Sequence, residues 1–147
     1  MRWLIPPRLL IGLGALMIAA NWLFPIHHLI GPPWTLGGIA LMALGFAMAL
    51  AIARRFKRVD TEINTFKTPR KLQTDGLFAL TRNPIYLGML LFLSGLAVLL
   101  GSAVVWFGPL IFFLAANFWY IPHEEEKAAE HFGGPYLDYK KKVRRWL

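Results

Sequence analysis

Four stretches without a single charged side chain dominate the sequence: Leu9–Phe24, Trp34–Ala53, Ile85–Gly101 and Ala103–Ile121. A hydrocarbon layer roughly 30 Å thick is crossed by about 20 apolar residues of helix. Lipid offers no partner to a backbone N–H or C=O, so such stretches fold as helices that satisfy their own hydrogen bonds. The first and third are short for a span. Hydrophobic residues make up 56% of the 147-residue chain and charged ones 16%, against roughly 45–50% and about 25% in a soluble domain, more apolar mass than so small a soluble core can hold. The sequence therefore predicts an all-α integral membrane bundle of four transmembrane helices with a cytoplasmic C-terminal helix, a single membrane domain over residues 1–147. With no cysteine, disulfides, thiolate zinc sites, Fe–S clusters and cysteine nucleophiles are excluded.

The net charge of +8 is unevenly placed. Of the sixteen Lys and Arg, two precede the first stretch, eight lie between the second and third, and six follow the fourth. By the positive-inside rule both termini and the Arg54–Pro84 loop are cytoplasmic. That distribution accounts for the charge with no nucleic-acid partner. Met1–Ala20 could be read as a secretory signal, but it lacks a small-x-small cleavage site and is kept as the first span. Pro25–Pro33 becomes an outer loop, Gly101-Ser102 a tight outer turn that makes spans three and four an antiparallel hairpin, and the tail from Pro122 returns to the face of the long loop. Gly45, Ala49 and Ala53 form a stripe suited to helix packing.

What the spans lack narrows the function. No ionisable residue lies in them, leaving Asn21, Ser94 and Asn117 as the notable polar groups, so a coupled transporter is disfavoured. His27 and His28 fall in the outer loop and His123 and His131 in the tail, which does not suit bis-histidine haem. Lys127 stands where the second histidine of a helical His-Glu-x-x-His zinc site belongs. No metal is expected.

The informative residues gather in the cytoplasmic layer. Asn83 before Pro84 can simply cap the third span, with Arg82 as a membrane-surface anchor. Alternatively, Arg82, Asn83 and the helix start face an anionic group. Pro122 can open a new helix whose first turn favours Glu124, Glu125 and Glu126, or those neighbouring acids can hold an ammonium or sulfonium cation. The basic end, from Lys140 to Arg145, suits anionic headgroups, with Trp146 as an interfacial anchor. Tyr136 and Tyr139 share a helix face, either packing on the bundle or walling a pocket for a cation.

Taken in order, these motifs resemble the isoprenylcysteine carboxyl methyltransferase and phospholipid methyltransferase superfamily. Its pattern is Thr-x-Gly-x-Phe/Tyr, then Arg-His-Pro-x-Tyr-x-Gly, a span pair, then Glu-Glu-x-x-Leu-x-x-x-Phe-Gly-x-x-Tyr-x-x-Tyr. The chain reads Thr74-Asp75-Gly76-Leu77-Phe78, Arg82-Asn83-Pro84-Ile85-Tyr86-Leu87-Gly88, and Glu124-Glu125 through Phe132-Gly133, Tyr136 and Tyr139. The likeness covers roughly residues 64–147. Asn83 replaces the histidine and Ala128 the leucine. Asparagine cannot titrate near neutrality, which argues against an essential imidazole base, and by the resemblance the replacement is the mark of a bacterial-type subfamily.

The resemblance implies methyl transfer from S-adenosylmethionine (SAM), leaving S-adenosylhomocysteine (SAH), at the cytoplasmic face of a bacterial inner membrane. Carried over by motif, Arg82, Asn83, Tyr86, Leu87 and Gly88 hold the methionine and ribose end, and Glu124 or Glu125 the amino group. Phe132, Tyr136 and Tyr139 wall the site, with Arg82 and Glu125 at the reacting centre. The acceptor is a lipophilic small molecule drawn from the membrane lipids, with a carboxylate, amine or thiol as nucleophile. Displacement at a sulfonium methyl needs alignment and exclusion of water more than acid–base groups or a metal. The Gly12-x-Gly14 fragment lies in an apolar span with no strand before it, so it is a packing feature and no nucleotide loop. A non-catalytic membrane scaffold of the same frame is the rival, and there Arg82 and the acids would splay toward headgroups. If both residues are surface-facing, Glu125→Gln or Arg82→Ala should lower cofactor affinity while hardly changing folded yield.

Overall fold

The structure, a computed structural model, describes residues 6–24, 28–58 and 72–147. Six helices carry them: α1 (Pro6–Leu23), α2 (Gly37–Arg58), α3 (Pro84–Leu100), α4 (Phe107–Ala115), α5 (Ile121–Phe132) and α6 (Gly134–Lys142). Among the described residues there is no strand, only an isolated bridge between His28 and Ser102. Short 3-10 turns stand at Trp34–Leu36, Gly76–Ala79 and Ala103–Trp106. His27 and residues 59–71, including the first part of the motif region, lie outside the described residues.

Among the described residues three helical stretches are long and apolar enough to cross a membrane: Pro6–Leu23, Trp34–Arg55 and Ala103–Phe132. Helix α3 is equally apolar but shorter, at 17 residues. Helix α2 continues through Arg54 to Arg58, so the start of the expected long loop is helical instead. The largest departure concerns Pro122. No new helix opens there: the backbone stays helical from Ala103 to Phe132, so the acids occupy mid-helix positions with no N-terminal dipole to favour them. A π-turn over Ala116–Tyr120 widens the helix just upstream of the proline, a local adjustment that accommodates the amide hydrogen proline lacks.

Glycines set the packing of α2 on α3. A Cβ on Gly95 would come within 2.6 Å of the Gly38 oxygen, and one on Gly88 within 2.9 Å of the Gly45 oxygen. Gly38 and Gly45 thus meet Gly95 and Gly88 with backbones in contact, the close approach that small residues allow in membrane bundles. Of the expected stripe, Gly45 and the backbone of Ala49 are at this contact. The partner glycine seven residues before Gly45 was missed because the stripe was read at four-residue spacing. Gly12 faces open space and Gly14 only touches Leu96 at 3.7 Å, so that fragment is helical yet not a close-packing site.

Helix α1 leans on α3, α4 and the turn at Ala103–Trp106. The core is built from Met17, Leu93, Ala97, Val105, Phe112, Ala116 and Ile121, all inaccessible to solvent. Ile11, Leu16, Ile18, Phe46, Leu110 and Phe118 are exposed on the outside, a surface suited to lipid. The hairpin expected at Gly101-Ser102 is present. Gly101 ends α3 in the left-handed conformation (φ 71°), and its carbonyl accepts from the amides of Leu29 (2.8 Å) and Ile30 (3.2 Å).

Candidate functional site

Three segments distant in sequence meet at the start of α3. Gly76, at φ 62°, turns the chain into the Gly76–Ala79 3-10 turn. Arg55 of α2 braces this approach, donating to Gln73 at 3.1 Å and pairing with Asp75. Residues 81–83 then lie against the C-terminal tail. The Arg82 amide donates to the Arg144 carbonyl (2.9 Å), and the Thr81 hydroxyl (3.0 Å) and Asn83 Nδ2 (3.1 Å) both donate to the Arg145 carbonyl. Asn83 precedes Pro84 as expected and its carbonyl accepts from the Leu87 amide, yet its side chain makes no capping bond in α3; Nδ2 reaches out to the Arg145 carbonyl instead. That is the physical correction to the capping reading.

At the centre stands Glu125 of α5, four residues beyond the apolar stretch that ends at Ile121 and only 7% exposed. Arg145 grips it with two hydrogen bonds, Nε to Oε1 at 3.2 Å and Nη2 to Oε2 at 2.9 Å. Arg82 Nη2 reaches Oε1 at 3.1 Å and Lys140 Nζ reaches Oε2 at 3.3 Å. Burial pushes the carboxyl pKa up, but the bonds from Arg145 and Lys140 and the charges of Arg82 and Arg145 outweigh burial and hold it below the usual carboxylate range. Three cations share one carboxylate, so positive charge is in excess here.

Arg82 carries part of that excess inward. Its side chain is 9% exposed, and its Nε and Nη1 are buried without a hydrogen-bond partner among the described residues. Buried donors of this kind cost about 1–3 kcal/mol each, more when charged, unless something meets them. Beside it the Tyr86 hydroxyl donates to Glu124 Oε1 at 2.8 Å, and the Tyr86 ring stacks on Tyr120 with centroids 6.2 Å apart.

Tyr136 and Tyr139 of α6 are both buried, their rings tilted at 6.3 Å. Burial, reinforced for Tyr136 by the Glu125 charge, pushes the Tyr136 phenol up to about 12 against the pull of Arg82 and Arg145. Burial likewise takes Tyr139 to about 12. The Tyr139 hydroxyl donates to the Phe78 carbonyl at 2.6 Å, joining α6 to the turn before α3.

The structure thus brings together Arg82, Asn83, Tyr86, Glu124, Glu125, Tyr136 and Tyr139. Leu87 is half-buried one turn into α3, Gly88 faces α2, and Phe132 lies edge-on against His131 at 4.6 Å. Sequence reasoning missed Thr81, Asn117, Tyr120, Lys140 and Arg145 as partners. Arg145, expected at anionic headgroups, and Trp146, expected as an interfacial anchor, turn inward: Trp146 Nε1 donates to Asn117 Oδ1 at 3.1 Å and its ring meets Phe113 at 5.2 Å. The signal for this was a polar Asn117 in an apolar stretch. No group of three His, Asp or Glu able to hold a metal exists among the described residues.

The sequence matches the phospholipid methyltransferase family over residues 34–134, which takes in α2, α3, α4 and α5. The chain belongs to that family. Membership implies methyltransferase activity at the level of the family, whose members use SAM, and with three span-length helices it makes the chain an integral membrane protein. An uncharacterized protein of Haemophilus influenzae is 43% identical over 63 residues, a match that takes in 43% of this chain and all of the relative. No solved structure gave a significant match.

Proposed function

We propose that this chain is a SAM-dependent methyltransferase for a lipophilic, membrane-borne acceptor. It is a single membrane domain of four spans, α3 being the short one, with both termini and the α6 tail on the cytoplasmic side of a bacterial inner membrane. The observation that carries the proposal is Arg82: a buried guanidinium with two nitrogens unpartnered among the described residues, its third nitrogen paired with Glu125. Such donors suit a carboxylate, and SAM has one.

The donor set fits the cofactor on both sides of its zwitterion. Arg82 would hold the carboxylate. Glu124, aligned by Tyr86, is the better-placed acid for the amino group, because Glu125 is already surrounded by three cations. Asn83 and Tyr86 would border this end, and the buried rings of Tyr136 and Tyr139 would exclude water. When bound, SAM supplies an electrophilic methyl on sulfur. The residues of the chain orient and desolvate, which is the help a direct displacement needs. Glu125 serves by fixing Arg82, and if the acceptor is a protonated amine, Glu124 is the acid nearest in kind to a base.

The scaffold alternative expects Arg82 and the acids to splay toward headgroups, whereas Arg82 and Glu125 are paired and buried. Incubating the purified protein with methyl-labelled SAM and total bacterial membrane lipid tests the proposal. Label should pass into the organic phase. Folded protein that leaves all label in SAM would point to the scaffold.

A further inference from the structure

We infer that the C-terminal residues Arg144–Trp146 form a latch across the start of α3, and that Arg145 is the positioning residue for Arg82; the second part rests on the cofactor reading of Arg82 above. The reason lies in the π-turn. Ile121 N–H bonds the Ala116 carbonyl, five residues back. In that register the next bond would run from residue 122 to the Asn117 carbonyl, and residue 122 is proline, which has no amide hydrogen. The Asn117 carbonyl needs a donor from elsewhere.

Arg145 supplies it. Its Nη1 donates to the Asn117 carbonyl at 3.2 Å and to Asn117 Oδ1 at 3.3 Å, while Trp146 Nε1 adds a third bond to the same residue, at Oδ1. The opposite edge of the guanidinium grips Glu125. The Arg145 carbonyl meanwhile accepts from Thr81 and Asn83, and the Arg144 carbonyl from the Arg82 amide. One residue thus joins the π-turn, α5 and the entry to α3.

The consequence for Arg82 follows from a shared atom. Glu125 Oε1 receives both Arg145 Nε and Arg82 Nη2. Arg145 fixes the carboxylate plane, and the carboxylate fixes one Arg82 nitrogen, while Nε and Nη1 have no hydrogen-bond partner among the described residues. A lysine at 145 keeps the charge but cannot provide the planar fork that serves Glu125 and Asn117 at once.

Hydrogen exchange at the Arg82 amide and calorimetric SAH titration, both on the full chain in detergent, test this. In Arg145→Gln the Arg82 amide should exchange faster, and SAH affinity should fall by about tenfold or more, as expected for losing a charge-assisted bond network. Arg145→Lys should resemble Arg145→Gln, and full recovery of affinity by lysine would overturn the positioning role. Exposure of the Arg82 amide with SAH affinity unchanged would overturn it too. Trp146→Phe, which keeps the ring against Phe113, should speed the same exchange to a smaller degree if Arg145 variants fail to fold, and unchanged exchange there would overturn the latch. Absence of SAH binding by the wild type would remove the positioning role together with the cofactor reading, while the exchange rates still decide the latch.

Discussion

Arg82 and Glu125, 43 residues apart, form a buried ion pair at 3.1 Å in which both partners are less than a tenth exposed. The pair lies among Lys140, Arg145 and Tyr136, and the account of the site turns on it. An isolated buried charge is costly, and removing one partner of such a pair exposes that cost in the other.

Glu125→Ala should therefore destabilise the protein strongly, by about 3–5 kcal/mol, because it leaves the buried Arg82 guanidinium without its anion. Thermal unfolding in detergent checks this against Glu126→Ala, an exposed neighbour expected to change stability by less than about 0.5 kcal/mol. The expectation that Arg82 and Glu125 face the surface is corrected by the burial of both side chains.

Adding a methyl group at the α2–α3 contact should separate the helices. Gly95→Ala places a Cβ 2.6 Å from both the Gly38 oxygen and the Met42 nitrogen, backbone atoms that can give way only by shifting a helix. A loss of roughly 1–3 kcal/mol is expected. Gly12→Ala, into open space, should cost nothing measurable, and the two melting temperatures compare directly.

Alkaline pH should loosen α6. Tyr136 and Tyr139 have folded pKa values raised to about 12 from an ordinary 10.0. A group whose folded pKa is raised gives its full contribution to stability below its unfolded pKa and loses it as pH rises through the folded one. Stability should thus decline between pH 10 and about 12, and less so in a Tyr136→Phe, Tyr139→Phe double variant. Phenolate absorbance followed beside helix content would register both events. A phenolate transition near the ordinary value in folded protein would contradict the burial of these rings.

Much of the fold was legible because span-length apolar runs and basic loops speak through local sequence. The hairpin at Gly101 and the meeting of tail and loop follow from the length of each segment. The glycine contact between α2 and α3 was half visible, since Gly45 stands out but its partner depends on helix register. Which acid turns inward was hidden: Glu124, Glu125 and Glu126 point about 100° apart around the helix, and their phase is set by the π-turn and the absence of a break at Pro122. The tail was least legible. Arg145 reads as one more basic residue until a contact 64 residues away, with Thr81, defines it.

The most direct measurement is calorimetric titration of SAH into the folded wild type and into Arg82→Met, with melting temperatures recorded alongside. The wild type should bind one equivalent saturably and gain about 2.7 kcal/mol of stability at a hundredfold excess over Kd. Arg82→Met, less stable but still folded because Glu125 keeps Lys140 and Arg145, should bind at least about tenfold more weakly, having lost a charge-assisted bond to the carboxylate. Equal affinity in the two, or no binding by folded wild-type protein, would contradict Arg82 as the cofactor's anchor.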